Sequence, residues 1–166
     1  SYYNFSQTQW SNTLTSDIRV NSGTNVNLFT LFDDTNKSIA GTTAYDEYSV
    51  SNNLITVPYV GQPYEGLRIK HDIRINFNIA TGNTQNYKLE LRRFDDSVIG
   101  SPIIVTRNVD ETGAQKIILT YTSSATDSFV TGGFYISFTN ESGTRCDLTG
   151  DISLLIFNTF NQPVKF

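Results

Sequence analysis

Residues 67–79 read LRIKHDIRINFNI. Leu67, Ile69, Ile73, Ile75, Phe77 and Ile79 alternate with Arg68, Lys70, Asp72, Arg74, Asn76 and Asn78, and His71 falls in register with the apolar set. Successive side chains of a strand leave opposite faces, so this period of two needs one face in a core and the other in water. Thirteen residues is long for one strand, and a bend or bulge is predicted near His71-Asp72.

The same pattern continues outward. Tyr87, Leu89 and Leu91 alternate with Lys88, Glu90 and Arg92 beyond the Thr81-Gly82-Asn83 turn. Asp95-Asp96-Ser97 reads as a tight turn, and Val98–Ile99 and Ile103–Val105 flank a break at Gly100-Ser101-Pro102. Further strands are predicted over Ile18–Val20, Val26–Phe32, Leu54–Val60, Lys116–Thr122, Phe134–Thr139 and Gly150–Phe157, with 36–53 read as irregular. Eight to ten strands at hairpin spacing, without a helical stripe, predict an all-β antiparallel sandwich or barrel. Residues 1–166 read as a single domain, with 1–16 a possible N-terminal arm or tether. That opening segment lacks a basic stretch followed by an apolar one and does not read as a signal peptide.

Composition agrees. Ser, Thr and Asn supply 53 of the 166 residues, while Ala occurs five times and Met never. Good helix formers are scarce and turn and strand-surface residues abundant. No run approaches ~20 apolar residues, so no membrane insertion is expected. A net charge of −4 argues against holding nucleic acid by its phosphates.

Several strands are apolar on both faces. Ile152, Leu154 and Ile156 share one face of the last strand, with Leu155 and Phe157 on the other. Phe134, Ile136 and Phe138 oppose Tyr135, and Ile117, Leu119 and Tyr121 oppose Ile118. Consecutive strands usually neighbour one another, so these second faces are expected to merge into one patch. Such a patch on a surface normally meets another protein. Tyr135, Leu155, Phe157 and Ile118 are therefore the expected oligomer interface; the alternative is that loops or the N-terminal segment cover these faces.

The long strand at Leu67–Ile79, the hairpin around Tyr87–Val105, the run Gly132-Gly133-Phe134-Tyr135-Ile136-Ser137-Phe138 and the closing Leu148-Thr149-Gly150-Asp151-Ile152-Ser153-Leu154-Leu155-Ile156-Phe157 resemble the tumour-necrosis-factor/C1q-like jelly roll. The resemblance covers 54–160. It implies a jelly-roll sandwich, a compact homotrimer and, among viral and phage members, a head on a spike or fibre at the capsid surface. The chain departs from the cytokines of the family in lacking their ordered aromatic signatures and a disulfide pair.

Chemistry is sparse. His71 is the sole histidine, so a Ser-His-Asp triad has one possible base, and its place on the apolar face reads as a hydrogen-bonded core residue. The carboxylate pairs Asp33/Asp34, Asp46/Glu47, Asp95/Asp96 and Asp110/Glu111 sit in turns, where Asp caps its own backbone. No catalytic residue, metal ligand or cofactor is assigned. Arg68, Lys70, Arg74, Lys88 and Arg92, interrupted by Asp72 and Glu90, read as cross-strand ion pairs. Cys146 stands alone, and Asn4, Asn36 and Asn140 begin Asn-x-Ser sequons.

The reading is a non-enzymatic virion-surface module, a phage or viral spike or fibre head or capsid decoration protein. It assembles as a homotrimer, attaches to the capsid or another virion protein through a terminus, and meets a host glycan or protein receptor. The alternative is a secreted, extracellular carbohydrate-binding module or lectin, which needs exposed aromatics for sugar stacking. Trp10, Tyr45, Tyr48, Tyr59 and Tyr64 are the candidates, the four tyrosines being the expected ligand contacts.

Overall fold

The computed structural model describes residues 2–41, 48–56, 68–80, 86–106, 113–124, 127 and 131–162. They form twelve strands: β1 (Tyr2–Thr13), β2 (Ile18–Val20), β3 (Asn25–Asn27), β4 (Lys37–Gly41), β5 (Ser49–Ser51), β6 (Leu54–Thr56), β7 (Arg68–Ile79), β8 (Asn86–Arg93), β9 (Val98–Thr106), β10 (Gly113–Ser124), β11 (Phe134–Asn140) and β12 (Cys146–Gln162). Two antiparallel sheets result. The first runs β10-β7-β12-β1-β4, with β2 also on β12; the second runs β5-β6-β11-β8-β9, with β3 also on β11. The architecture is an all-β jelly-roll sandwich. No helix among the described residues is long and apolar enough to cross a membrane.

The alternation at 67–79 does what its period requires. Ile69, His71, Ile73, Ile75, Phe77 and Ile79 of β7 are buried between the sheets, while Lys70, Arg74 and Asn76 are exposed. Phe77 meets Tyr87 and Phe138 of the second sheet edge-on at 5.5 and 5.7 Å, and those two rings stack at 5.2 Å. Aromatic pairs of this kind add specific geometry to plain area burial. Trp10, Leu154, Ile156, Leu89, Phe134 and Ile136 complete the middle of the core.

Several boundaries differ from expectation. Residues 2–13, expected as an arm, form a strand between β12 and β4. Thr8 and Trp10 are fully buried there, which ties the segment into the core. β7 pairs with β10 without interruption from Arg68 to Ile79, so no bulge falls at His71-Asp72. The register shift lies on the partner strand instead, between Thr149 and Ser153 of β12, where Gly150 has φ +67°. The strand expected over Val26–Phe32 stops at Asn27, because the Asn27 side chain accepts a hydrogen bond from the Phe29 amide at 2.8 Å and turns the chain into a 3-10 turn over Leu28–Leu31. β9 runs through Gly100-Ser101-Pro102 as one strand; Gly100 at φ +68° absorbs the break as a register irregularity opposite Leu89–Leu91. β4 and β5 occupy parts of 36–53, which read as irregular.

Candidate functional site

Strand pairing lays the outward side chains of the first sheet in rows. Ile118 in β10 stands opposite Arg74 in β7, Arg74 opposite Leu155 in β12, and Leu155 opposite Gln9 in β1. The adjacent row is Thr120, Asp72, Phe157 and Gln7. Ile118 is 58% exposed, and Leu155 and Phe157 are half-buried. Three of the four expected interface residues therefore share one face. Arg74 stands exposed between Ile118 and Leu155, and its side chain makes no ion pair or hydrogen bond among the described residues.

Tyr135 does not join them. β11 belongs to the second sheet, so the rule that consecutive strands neighbour one another fails here: β10 and β12 are separated by β7, and β11 lies across the sandwich. Tyr135 is 7% exposed and donates its hydroxyl to Asp96 Oδ1 at 2.6 Å. Burial, then that bond, pushes its phenol pKa up.

Of the expected sugar contacts, Tyr45, Tyr59 and Tyr64 lie outside the described residues. Tyr48 is fully buried, a correction to its expected exposure, and Trp10 is buried as well. The Tyr48 hydroxyl lies 2.6 Å from His71 Nδ1, and His71 Nε2 lies 2.9 Å from Ser123 Oγ. Trp10 donates its indole N–H to Asp34 Oδ1 at 3.1 Å. Both aromatics thus use their polar atom inside the protein, which leaves no ring face for a ligand.

His71 holds the middle of a buried Tyr48–His71–Ser123 chain. All three residues are at most 1% exposed, so no substrate reaches them. Desolvation lowers the His71 pKa to about 3, against weaker opposing pulls from Asp127 and Asp72. The imidazole is neutral at physiological pH, and which hydroxyl donates fixes its tautomer.

The carboxylates in turns serve the chain itself. Asp33 accepts from the hydroxyl and the amide of Thr35, and Asp95 from the hydroxyl and the amide of Ser97, which hold both groups below their ordinary pKa. Asp34 accepts from Trp10 and from the Val50 amide at 3.0 Å and pairs with Lys37 at 3.6 Å. Asp46, Glu47, Asp110 and Glu111 lie outside the described residues. The cations expected to form ion pairs across their strands sit on different sheets, β7 in the first and β8 in the second. Glu90 pairs with Arg92 at 2.9 Å and Lys88 at 3.6 Å along β8, Lys70 reaches Asp72 at 4.0 Å along β7, and Lys88 also reaches across to Glu141, just past the end of β11, at 3.3 Å. Cys146 is buried in β12. Asn140 is buried with its amide donating to the Val20 and Thr144 carbonyls and accepting from Ser142, so that sequon is internal; Asn36 is exposed.

No family model matches the chain, and no curated protein matches it in sequence. Solved structures do match in shape. The PRD1 vertex protein P5 is similar with a TM-score of 0.55 at 13% identity, over 92% of this chain and 71% of that one. More distant likenesses are Eiger TNF from S. frugiperda, with a TM-score of 0.40 at 10% identity over 98% and 94% of the two chains, and the cowpea mosaic virus top component, at 0.33 and 11% over 100% and 88%. What the first of these likenesses establishes is the fold: this chain is a jelly roll of the kind the vertex protein adopts.

Proposed function

We propose that the chain is a non-enzymatic virion-surface module, a spike or fibre head or capsid decoration protein. It assembles as a homotrimer through the outward face of the first sheet, is held to the capsid or another virion protein by a terminus, and takes part in host attachment. The observation that carries the reading is the apolar group Ile118, Leu155 and Phe157 on one sheet face, with Ile118 58% exposed. Apolar side chains clustered on a rigid sheet mark a contact surface, and closed symmetric association covers such a patch once per subunit. Burying an exposed Leu, Ile or Phe contributes roughly 1.5–3 kcal/mol, so Ile118 supplies the larger share of the contact per subunit and the already half-buried Leu155 and Phe157 a smaller one. Tyr135 is no part of this contact, because it lies on the other sheet.

The shared fold with a vertex protein supports the place on a virion, and the jelly-roll resemblance supports threefold over twofold symmetry. Sedimentation equilibrium on the wild-type protein tests the assembly. A mass of three times 18.6 kDa is expected, and 18.6 kDa would contradict it.

A further inference from the structure

The outward face of the first sheet changes character along its strands. Beside the row Gln9–Leu155–Arg74–Ile118 lies a row in which Ser11 in β1, Ser153 in β12, Asn76 in β7 and Lys116 in β10 stand opposite one another, short or amide at the first three places and cationic at the edge. Ser11 and Ser153 are short, so this row is the floor of a trough. The Gln9–Leu155–Arg74–Ile118 row walls one side.

The β12 irregularity walls the other. Thr149 faces Asn78 and Ser153 faces Asn76, so four steps along β12 match two along β7 and the chain bulges outward. Gly150, at φ +67°, permits the bend. The bulge presents Asp151, and two bonds fix it: Thr13 Oγ1 donates to its carboxylate at 2.7 Å, and Asn78 Nδ2 donates to its carbonyl at 3.0 Å. The open trough has a volume of about 690 Å³, within the ~300–1,000 Å³ of small-ligand sites.

The lining chemistry selects a ligand class. Gln9, Asn36 and Asn76 offer amides that both donate and accept, as sugar hydroxyls do. Gln9 and Asn36 make no side-chain hydrogen bond among the described residues. One cation, Lys116, and one anion, Asp151, leave no net charge preference. The trough crosses the strands, which repeat every ~4.8 Å, close to the length of one pyranose unit.

We propose that this trough binds a linear, uncharged oligosaccharide, with successive sugar rings lying over successive strands. The inference rests on the attachment part of the reading above and names its ligand class and site. The test is a titration of ¹⁵N-labelled full chain with maltotriose, cellotriose and tri-N-acetylchitotriose at millimolar concentration, following the side-chain amide resonances of Gln9, Asn36, Asn76 and Asn78. At least one sugar is expected to shift them while the exposed turn residues Asn52 and Asn53 stay fixed. Ser11→Phe, at an exposed position, fills the trough and is expected to weaken binding by about tenfold or more.

No shift with any of the three sugars, or an equal shift in Ser11→Phe, overturns the proposal. The mass of each sample is measured alongside. A trimer without shifts overturns the sugar site alone, and a monomer with shifts overturns the trimer while supporting the site. A Ser11→Phe protein that falls to monomer, from a wild type that shows no shifts, assigns the trough to a second copy and overturns the sugar site.

Discussion

His71 sits where its charge is costly, and the consequence is a pH dependence of known sign. Its pKa in the folded chain is about 3, below the ordinary 6.5. As pH falls below about 6.5 the unfolded chain takes up a proton that the folded chain refuses until about pH 3. Stability from this residue is therefore complete above pH 6.5 and is lost progressively toward pH 3. Between pH 7 and pH 4 the loss is about 3 kcal/mol, at ~1.4 kcal/mol per pH unit across the window. Urea midpoints of wild type and His71→Gln at the two pH values isolate it, since Asp33 and Asp95, whose lowered values act in the same direction, are common to both. The wild type is expected to lose more stability than the variant on acidification; equal losses would show that His71 is not held neutral by the fold.

Gly133 makes a second residue-scale case. It has φ +83°, and a Cβ there would lie 2.7 Å from the Ile55 carbonyl oxygen. Gly133→Ala is expected to cost about 2–4 kcal/mol by thermal melts, whereas Gly143→Ala, with open space around it, stays within about 0.5 kcal/mol. The sequence showed His71 on an apolar face but not its two hydroxyl partners, because Tyr48 and Ser123 lie far from it along the chain.

Elements were legible where alternation was strict and hidden where side chains redirected the backbone. β7 and β8 declare themselves, because each places every second residue in the core. β4 and β5 do not: they are short, polar and hold their place through one carboxylate. Asp34 accepts from Trp10 in β1 and from the Val50 amide in β5, and pairs with Lys37 in β4. Asp34→Ala strips a fully buried indole N–H of its partner and leaves Lys37, 9% exposed, without this carboxylate. The expected loss is about 2 kcal/mol or more in chemical denaturation, with Asp34→Asn, which keeps an acceptor, losing less. Equal stability of Asp34→Ala and wild type would mean that β4 and β5 are held by the ladders alone. The β12 bulge was invisible for a related reason. Gly150 and Asp151 read as the start of the last strand, and only pairing against β7 shows two surplus residues.

At the scale of the molecule, the period of two gave the faces but not the order of strands. Ile118, Leu155 and Phe157 were grouped correctly on one face, although β7 lies between their strands; Tyr135 was grouped wrongly because β11 crosses to the other sheet. Sequence neighbours carry no information about which strand inserts between them. The jelly roll consequently presents two outer faces of different character. On the first sheet, Ile118 shares its face with the half-buried Leu155 and Phe157, across Arg74 and Asp72 of β7. On the second, Ile104 of the edge strand β9 is 69% exposed and stands opposite Lys88. The central claim is that the first of these faces joins the subunits. Light scattering on the matched pair Ile118→Asp and Ile104→Asp tests it most directly, since both positions are exposed and neither charge enters the core. The expected result is a wild type and an Ile104→Asp protein at three times 18.6 kDa, and an Ile118→Asp protein at 18.6 kDa with an unchanged circular dichroism spectrum. A wild-type monomer, an Ile118→Asp protein that keeps the wild-type mass, or an Ile104→Asp protein that falls apart would contradict it.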